Sequence, residues 1–236
     1  MKYPGTTVLV LLFCGVLTAQ EKVRTVLFPS REAVLASRVE SRMLPCSWRI
    51  GEAFPAGAEL VKMDDRRHAL EFQRARAQYE FHLASFENKR KLRERSLTSD
   101  FELKKAEFEK EMSQSAMQRA QLELSACVIT APFAGKLAEL ITREHETVRP
   151  GQELCRIIDD STLLAVMNVP AGDRKLTAVG NPVKIRLDDG RIISGNIYEV
   201  SPQADHRTGT LRIRVKIDNR QALITAGSTG ELLHDQ

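Results

Sequence analysis

Between Asp65 and Ser125 the chain contains no Gly and no Pro, and it is built mainly from Glu, Lys, Arg, Ala, Gln and Leu. These are strong helix formers. Phe72, Ala75, Tyr79, Leu83 and Phe86 recur at spacings of three and four, which marks one apolar helical stripe. The run breaks at "TSDFE", where Ser99 can cap a new helix and Glu102, three residues on, completes a capping box. A weaker stripe follows at Leu103, Ala106, Met117, Ala120 and Leu124, interrupted by Lys110 and Ser113. Two helices of roughly 25–30 residues joined by a tight turn must run antiparallel. Each stripe is a narrow seam, so the helices are expected to cover one another as a coiled-coil hairpin, about 40 Å long at the helical rise.

On either side of this interval the chain repeats itself. "GEAFPAGAELVKMDD" from Gly51 and "HETVRPGQELCRIIDD" from His145 align without a gap at a shift of ninety-four positions (51 to 145). Gly57 falls on Gly151, Leu60 on Leu154, Lys62 on Arg156 and Asp65 on Asp159. Gly, Pro and alternating apolar positions read as strand-turn-strand in each copy. Neither copy could bury its apolar face alone, so the two are expected to form one small β-sandwich split by the hairpin. Beyond Asp160, "LLAVMNV", "VKIRL", "RIISGNIYEV" and "TLRIRVKI" alternate with the turn-like "DDG", "SPQADHRTG" and "NRQ", the pattern of a small antiparallel barrel. The fold class is α+β, mostly β. The expected spans are sandwich halves at 33–65 and 126–160, a hairpin at 66–125 and a barrel at 161–236. A strand segment at 20–32 joins the β-domains.

Composition narrows the function. The 236 residues carry 35 Lys+Arg against 31 Asp+Glu, with the bases spread along the chain, and aromatic residues are few, with one Trp48. Nothing here supports a nucleic-acid partner. The N-terminus has Lys2, an apolar run from about Val8 to Leu17 and the small-residue site Leu17-Thr18-Ala19. That is the layout of a secretory signal peptide over 1–19, and the run is shorter than the roughly 20 residues that span a bilayer. The alternative use of the same run is as an uncleaved anchor. Removal of the signal leaves Cys46, Cys127 and Cys155. An odd number cannot all pair within one chain, and Cys127 and Cys155 lie in strand-like runs where small apolar core residues belong. There is no CxxC, no metal-spaced cluster, no G-x-S-x-G, no phosphate loop and no HExxH. The five His residues are scattered, and Asp64-Asp65 and Asp159-Asp160 recur at strand ends, where Asp64 or Asp65 can cap the following helix. No catalytic, cofactor or metal residue is assigned.

The order of these parts resembles the periplasmic adaptors of bacterial efflux and secretion pumps, the membrane fusion (HlyD-like) proteins, over nearly all of the mature chain. The most specific piece is "VITAPFAGKLAEL", where Ala131, Pro132, Phe133 and Gly135 match the family's start of the second half-motif; Gly151 and Leu154 match its next landmark, Gly57 repeats it, and Gly135 and Gly151 are both expected at turns that need a glycine's backbone freedom. "VPAGDRKLTAVGNPVKI" resembles the family's segment in which a short helix follows the first barrel strand. The resemblance implies a lipoyl-like barrel-sandwich hybrid interrupted by the hairpin and followed by the barrel. It implies an inner-membrane transporter of resistance-nodulation-division or ABC type as one partner and an outer-membrane channel as another. Self-association as a trimer or hexamer is also implied, in the periplasm and held to the inner membrane through partners. Docking on the channel would fall to the hairpin tip at Leu92, Leu97, Thr98 and Ser99. Three departures stand out. Ser41 occupies the place of Gly135 in the first half, the chain stops at Gln236 where many adaptors continue into a membrane-proximal domain, and Asn88 and Lys89 replace the Arg and Leu of the family's tip motif. The halves also resemble biotinyl and lipoyl carriers, but the modified Lys of those carriers corresponds here to Arg67, and Lys62 aligns with Arg156 as a solvated strand residue. The alternative function is a secreted coiled-coil scaffold that works without a pump.

Overall fold

The structure, a computed structural model, describes residues 23–233; the signal-peptide reading at 1–19 lies outside them. The chain divides into two compact units, the larger comprising Leu27–Ala165 with Lys216–Ser228. Its elements are most of β1 (Arg24–Ala36), then β2 (Ser41–Arg42), β3 (Ala53–Phe54), β4 (Glu59–Lys62), α1 (Arg66–Glu94), α2 (Asp100–Ser125), β5 (Val128–Thr130), β6 (Gly135–Leu140), β7 (Thr147–Val148) and the first part of β8 (Glu153–Pro170).

The two copies of the repeat interlock residue for residue. Strand β2 pairs with β7 through Ser41↔Val148, and β3 pairs with β6 through Phe54↔Gly135, the same pairing moved by ninety-four positions (41 to 135, 54 to 148). The turns do likewise. Gly57 N donates to Ala131 O at 2.8 Å, and Gly151 N donates to Ser37 O at 2.8 Å. Gly51 N donates to Leu137 O at 2.7 Å, and His145 N to Met43 O at 2.9 Å. Each half therefore satisfies its turn amides on backbone carbonyls of the other half, as buried backbone groups require. Between them lies one core in which the aligned pairs Met43 and Leu137, Phe54 and Val148, and Leu60 and Leu154 are all buried. Burial pushes the Cys155 thiol up to about 11, with a smaller contribution from Cys46, and burial likewise raises that of Cys127. Both are therefore neutral core side chains.

Gly57 and Gly151 have φ of +79° and +86°, the left-handed region that glycine enters at least cost. Gly135 departs from the expected turn position. It opens β6 with no such φ, and a Cβ there would lie 2.3 Å from Ile158 O; its requirement is close backbone approach. In the first copy the equivalent strand stands off far enough for Ser41 to fit, and Ser41 Oγ donates to Asp64 O at 2.6 Å.

The copies diverge at their last aligned position. Asp65 is the N-cap residue of α1 but makes no side-chain cap bond; it is Asp64 Oδ1 that accepts from the Arg66 amide, at 3.3 Å. Asp159 instead ties strands together. Its carboxylate accepts from the Ser161 amide and hydroxyl at 3.1 and 2.6 Å and from Arg31 at 2.9 Å. Burial opposes its ionisation, but Ser161 and Arg31 outweigh burial and hold the carboxyl below its ordinary value. A depressed folded value means stability that is present above the unfolded carboxylate pKa and lost as pH falls through the folded one. Asp159→Ala is accordingly expected to cost about 1–3 kcal/mol near neutral pH and to flatten the acid limb of the stability profile below about pH 4. Denaturant unfolding at several pH values measures this, and an unchanged acid limb would refute it.

The smaller unit contains Val166–Val215, Thr229 onward and the start of β1. Its strands β9 (Pro182–Leu187), β10 (Ile192–Val200), β11 (Thr210–Asp218) and β12 (Thr229–Leu233) join β1 and β8 in the order β1-β12-β9-β10-β11-β8, with β8 pairing back to β1. Alternation puts Val183, Ile185, Leu187, Ile213 and Val215 inside. The short helix implied after the first strand is not formed. Residues 171–181 make consecutive turns, headed by the Asp173 carboxylate accepting from the Lys175 and Leu176 amides at 2.9 and 3.2 Å. Gly180, at φ +93°, ends them before a second helical turn could add up.

Candidate functional site: the helical hairpin

Helices α1 and α2 pack on each other along facing seams. Phe72, Tyr79, Leu83 and Phe86 are half-buried on α1, opposite buried Ala106 and Ser113 on α2. Lys110 and Ser113, which interrupt the sequence stripe, belong to this seam. The Lys110 ammonium lies 4.4 Å from the centre of the Phe86 ring, a cation–π contact, and Ser113 Oγ returns to Lys110 O at 2.8 Å. Toward the tip Lys89 donates to Glu102 at 2.5 Å and Arg93 to Asp100 at 2.6 Å. The Lys89 bond holds the Glu102 carboxyl below its usual range.

The turn is built without glycine. Arg95 closes α1, Ser96 takes φ +60°, Ser96 N donates to Arg93 O and Leu97 N to Leu92 O, both at 2.9 Å. This is the paired bonding of a Schellman stop. Ser99 caps α2 by accepting from the Glu102 amide at 3.2 Å, but the capping box is one-sided, because Lys89 takes the Glu102 carboxylate across the seam. The four tip residues therefore separate. Leu92 is half-buried and anchors the stop, Thr98 is half-buried with its carbonyl facing Arg93, Ser99 is a cap, and Leu97 is open to solvent at 67% exposure. Ala131, Pro132, Phe133, Gly57, Gly135 and Gly151 gather in the interlocked core and its turns, where Phe133 lies beneath the Arg31 guanidinium at 5.1 Å. At the foot of α1, Arg66 grips Asp64 and holds its carboxyl at about 2.

A second set of apolar side chains faces outward. Leu70 and Phe81 on α1, and Phe101, Phe108, Met112 and Leu122 on α2, are 57–74% exposed. Spacings of seven and eleven keep each set on one helical face, about half a turn away from the inner seam. The sequence signal was available in Phe101-Phe108-Met112 but was masked by the neighbouring seam. Among the described residues no helix is long and apolar enough to cross a membrane, and no cluster of three or more His, Cys, Asp or Glu could hold a metal ion.

Residues 165–234 match the family model described as the CusB-like β-barrel domain. The membrane fusion protein Spr0693 of Streptococcus pneumoniae R6 superposes with a TM-score of 0.70, at 13% identity over 91% of this chain and 99% of that one, which shows a shared fold. By this match and this fold the chain is similar to the membrane fusion proteins. Among curated relatives, this chain is 26% identical to the nodulation protein NolF of Rhizobium meliloti (strain 1021), over 85% of its own length and 59% of NolF. It is also 26% identical to the nickel-cobalt-cadmium resistance protein NccB of Alcaligenes xylosoxydans xylosoxydans, over 93% of its own length and 58% of NccB. The chain thus spans less than two thirds of the length of these relatives.

Proposed function

We propose that this chain is a non-catalytic periplasmic adaptor that joins an inner-membrane transporter to an outer-membrane channel for export of small molecules. In this reading the interlocked repeat is a lipoyl-like sandwich hybrid, the hairpin is a coiled coil that reaches the channel, and several copies assemble around the export path. The observation that carries it is the outward pair of apolar stripes. The inner seam already satisfies the hairpin, and Phe81, edge-on to its neighbour His82 on one side, and Phe108 on the other lie outside it, 70% and 62% exposed. Exposed apolar surface of this kind marks an interaction site. Two unlike stripes on opposite faces suit head-to-tail contacts between copies, the geometry that closes into rings.

The test is sedimentation of the mature chain, alone and with the inner-membrane protein that co-purifies with it. Phe81→Asp and Phe108→Asp are expected to leave helicity and melting unchanged, because both positions are exposed, and to disperse the assemblies. A wild-type chain that stays monomeric with its transporter present would remove the assembly reading and favour a scaffold that works without a pump.

A further inference from the structure

Each helix of the hairpin carries a second seam on the side away from the inner one. On α1 it runs through Leu70, Arg74, Ala77, Phe81, Ala84 and Asn88, and on α2 through Phe101, Lys105, Phe108, Met112, Ser115 and Arg119. Spacings of four and three alternate in both, which is the heptad repeat of a coiled-coil face, and every one of these residues is exposed. The two outer seams point away from each other, so neither can cover the other within one chain. The hairpin also fixes which residues stand level. His82 lies 3.9 Å from Glu109 and Lys89 2.5 Å from Glu102, so Phe81 is level with about residue 110 of its own chain.

We propose that α1 of one copy lies antiparallel on α2 of the next in a single register, with Phe81 against Phe108 and Glu87 paired to Lys104 of the neighbouring copy. The inference rests on the adaptor reading, which supplies assembly but no register. In a closed ring every hairpin points the same way, so α1 meets α2 antiparallel. Setting Phe81 on Phe108 makes an aromatic layer. It also aligns Ala77 with Met112, Ala84 with Lys105 and Arg74 with Ser115, a large side chain against a small one each time. Asn88 then meets Phe101, and Leu70 meets the stem of Arg119. The long stems of Arg74, Lys105 and Arg119 can cover apolar surface while their charges stay at the rim. The offset from level is about two residues, or about 3 Å at the helical rise, so neighbouring copies need almost no rise between them, as ring closure requires. Charges flanking a seam select its partner. Glu87 of one copy falls beside Lys104 of the next, and among the described residues neither has an ion pair inside the hairpin. Glu80, the flank that meets Glu111, is already held by Arg76 at 2.8 Å. Slipping the seam by one heptad would instead bring Glu87 against Glu111.

The experiment is disulfide trapping in the mature chain, with the inner-membrane protein that co-purifies with it present. A chain carrying Ala84→Cys and Lys105→Cys together is expected to cross-link into ladders of two or more copies on mild oxidation, because the two positions share a layer within reach of a disulfide. Either change alone should give no ladder. Ala84→Cys with Met112→Cys, which reports the register slipped by one heptad, should give none either. Charge exchange is the second readout. Glu87→Lys and Lys104→Glu are each expected to weaken assembly about fivefold, and the double exchange to restore it. Circular dichroism checks that the hairpin persists in every variant. Ladders from the Ala84→Cys/Met112→Cys chain, or equal assembly by all the charge variants, would overturn the register. Absence of ladders from both pairs, with wild-type assemblies still dispersed by Phe81→Asp, would overturn the antiparallel seam and leave the adaptor reading standing. A wild-type chain that never assembles would remove both.

Discussion

Replacing Gly135 with Ala is expected to destabilise the interlocked unit by about 3 kcal/mol, the upper range for forcing extra volume into a packed site. The added Cβ would sit 2.3 Å from Ile158 O and 3.1 Å from Ile158 C. Neither atom belongs to a flexible side chain. Both are backbone, held by the β6–β8 ladder through Lys136↔Ile158, so relief requires opening the sheet beside the Lys136–Asp160 ion pair. Gly151→Ala makes the useful contrast. Its φ is +86° but nothing lies within 4 Å of the added atom, so the cost is the left-handed backbone alone, about 1–2 kcal/mol. Thermal unfolding of both variants should rank Gly135 well above Gly151. The reverse order would show that conformation, and not close approach, governs the motif.

The second large effect concerns the shared core. Leu60→Ala and Leu154→Ala remove aligned side chains that are 3% and 0% exposed. Each is expected to cost about 2–5 kcal/mol from lost burial and the cavity left behind. Because each half bonds its turns to backbone carbonyls of the other half, both variants should lower the same cooperative transition by similar amounts. The double variant should be unfolded or nearly so, since neighbours in one core draw on one margin of stability. If Leu60→Ala instead produced a separate early transition, with the second copy melting as in the wild type, the copies would be independent units and the interlock would be wrong. The consequence reaches the hairpin, since Asp64 and Ala126, which bracket it, belong to this unit.

Much of this is legible in the amino-acid sequence alone. The unbroken run of helix formers and the stripe Phe72–Phe86 needed only periodicity, because a helix repeats its faces at a fixed interval whatever it packs on. The gapless repeat showed that one turn chemistry is used twice, and it aligned Gly57 with Gly151, which the structure places in the same left-handed conformation. Alternation in "VKIRL" and "TLRIRVKI" marked strands with one buried face. Local geometry writes these patterns into the chain, so they survive without knowledge of partners.

Other features depend on which distant segments meet. Gly135 looks like a turn glycine in sequence, but its need comes from Ile158 O, a backbone atom brought against it by sheet pairing. Lys110 and Ser113 read as breaks in the α2 stripe, yet a lysine stem and a small hydroxyl fit the seam once Phe86 supplies a ring and Lys110 O a hydrogen bond. Ser96 carries the left-handed stop without the glycine that would have announced it. Glu102 was legible as half of a capping box, but Lys89, from the other helix, takes its carboxylate because a charged partner offers more than an amide. The sequence by itself determined the helical and strand periods, the repeat and the positions of the turns, since these follow from the preferences of neighbouring residues. Only the tertiary structure decided that the two repeats bond through each other, and which apolar helical positions are spent on the inner seam and which remain outside, because burial is a property of the assembled contacts.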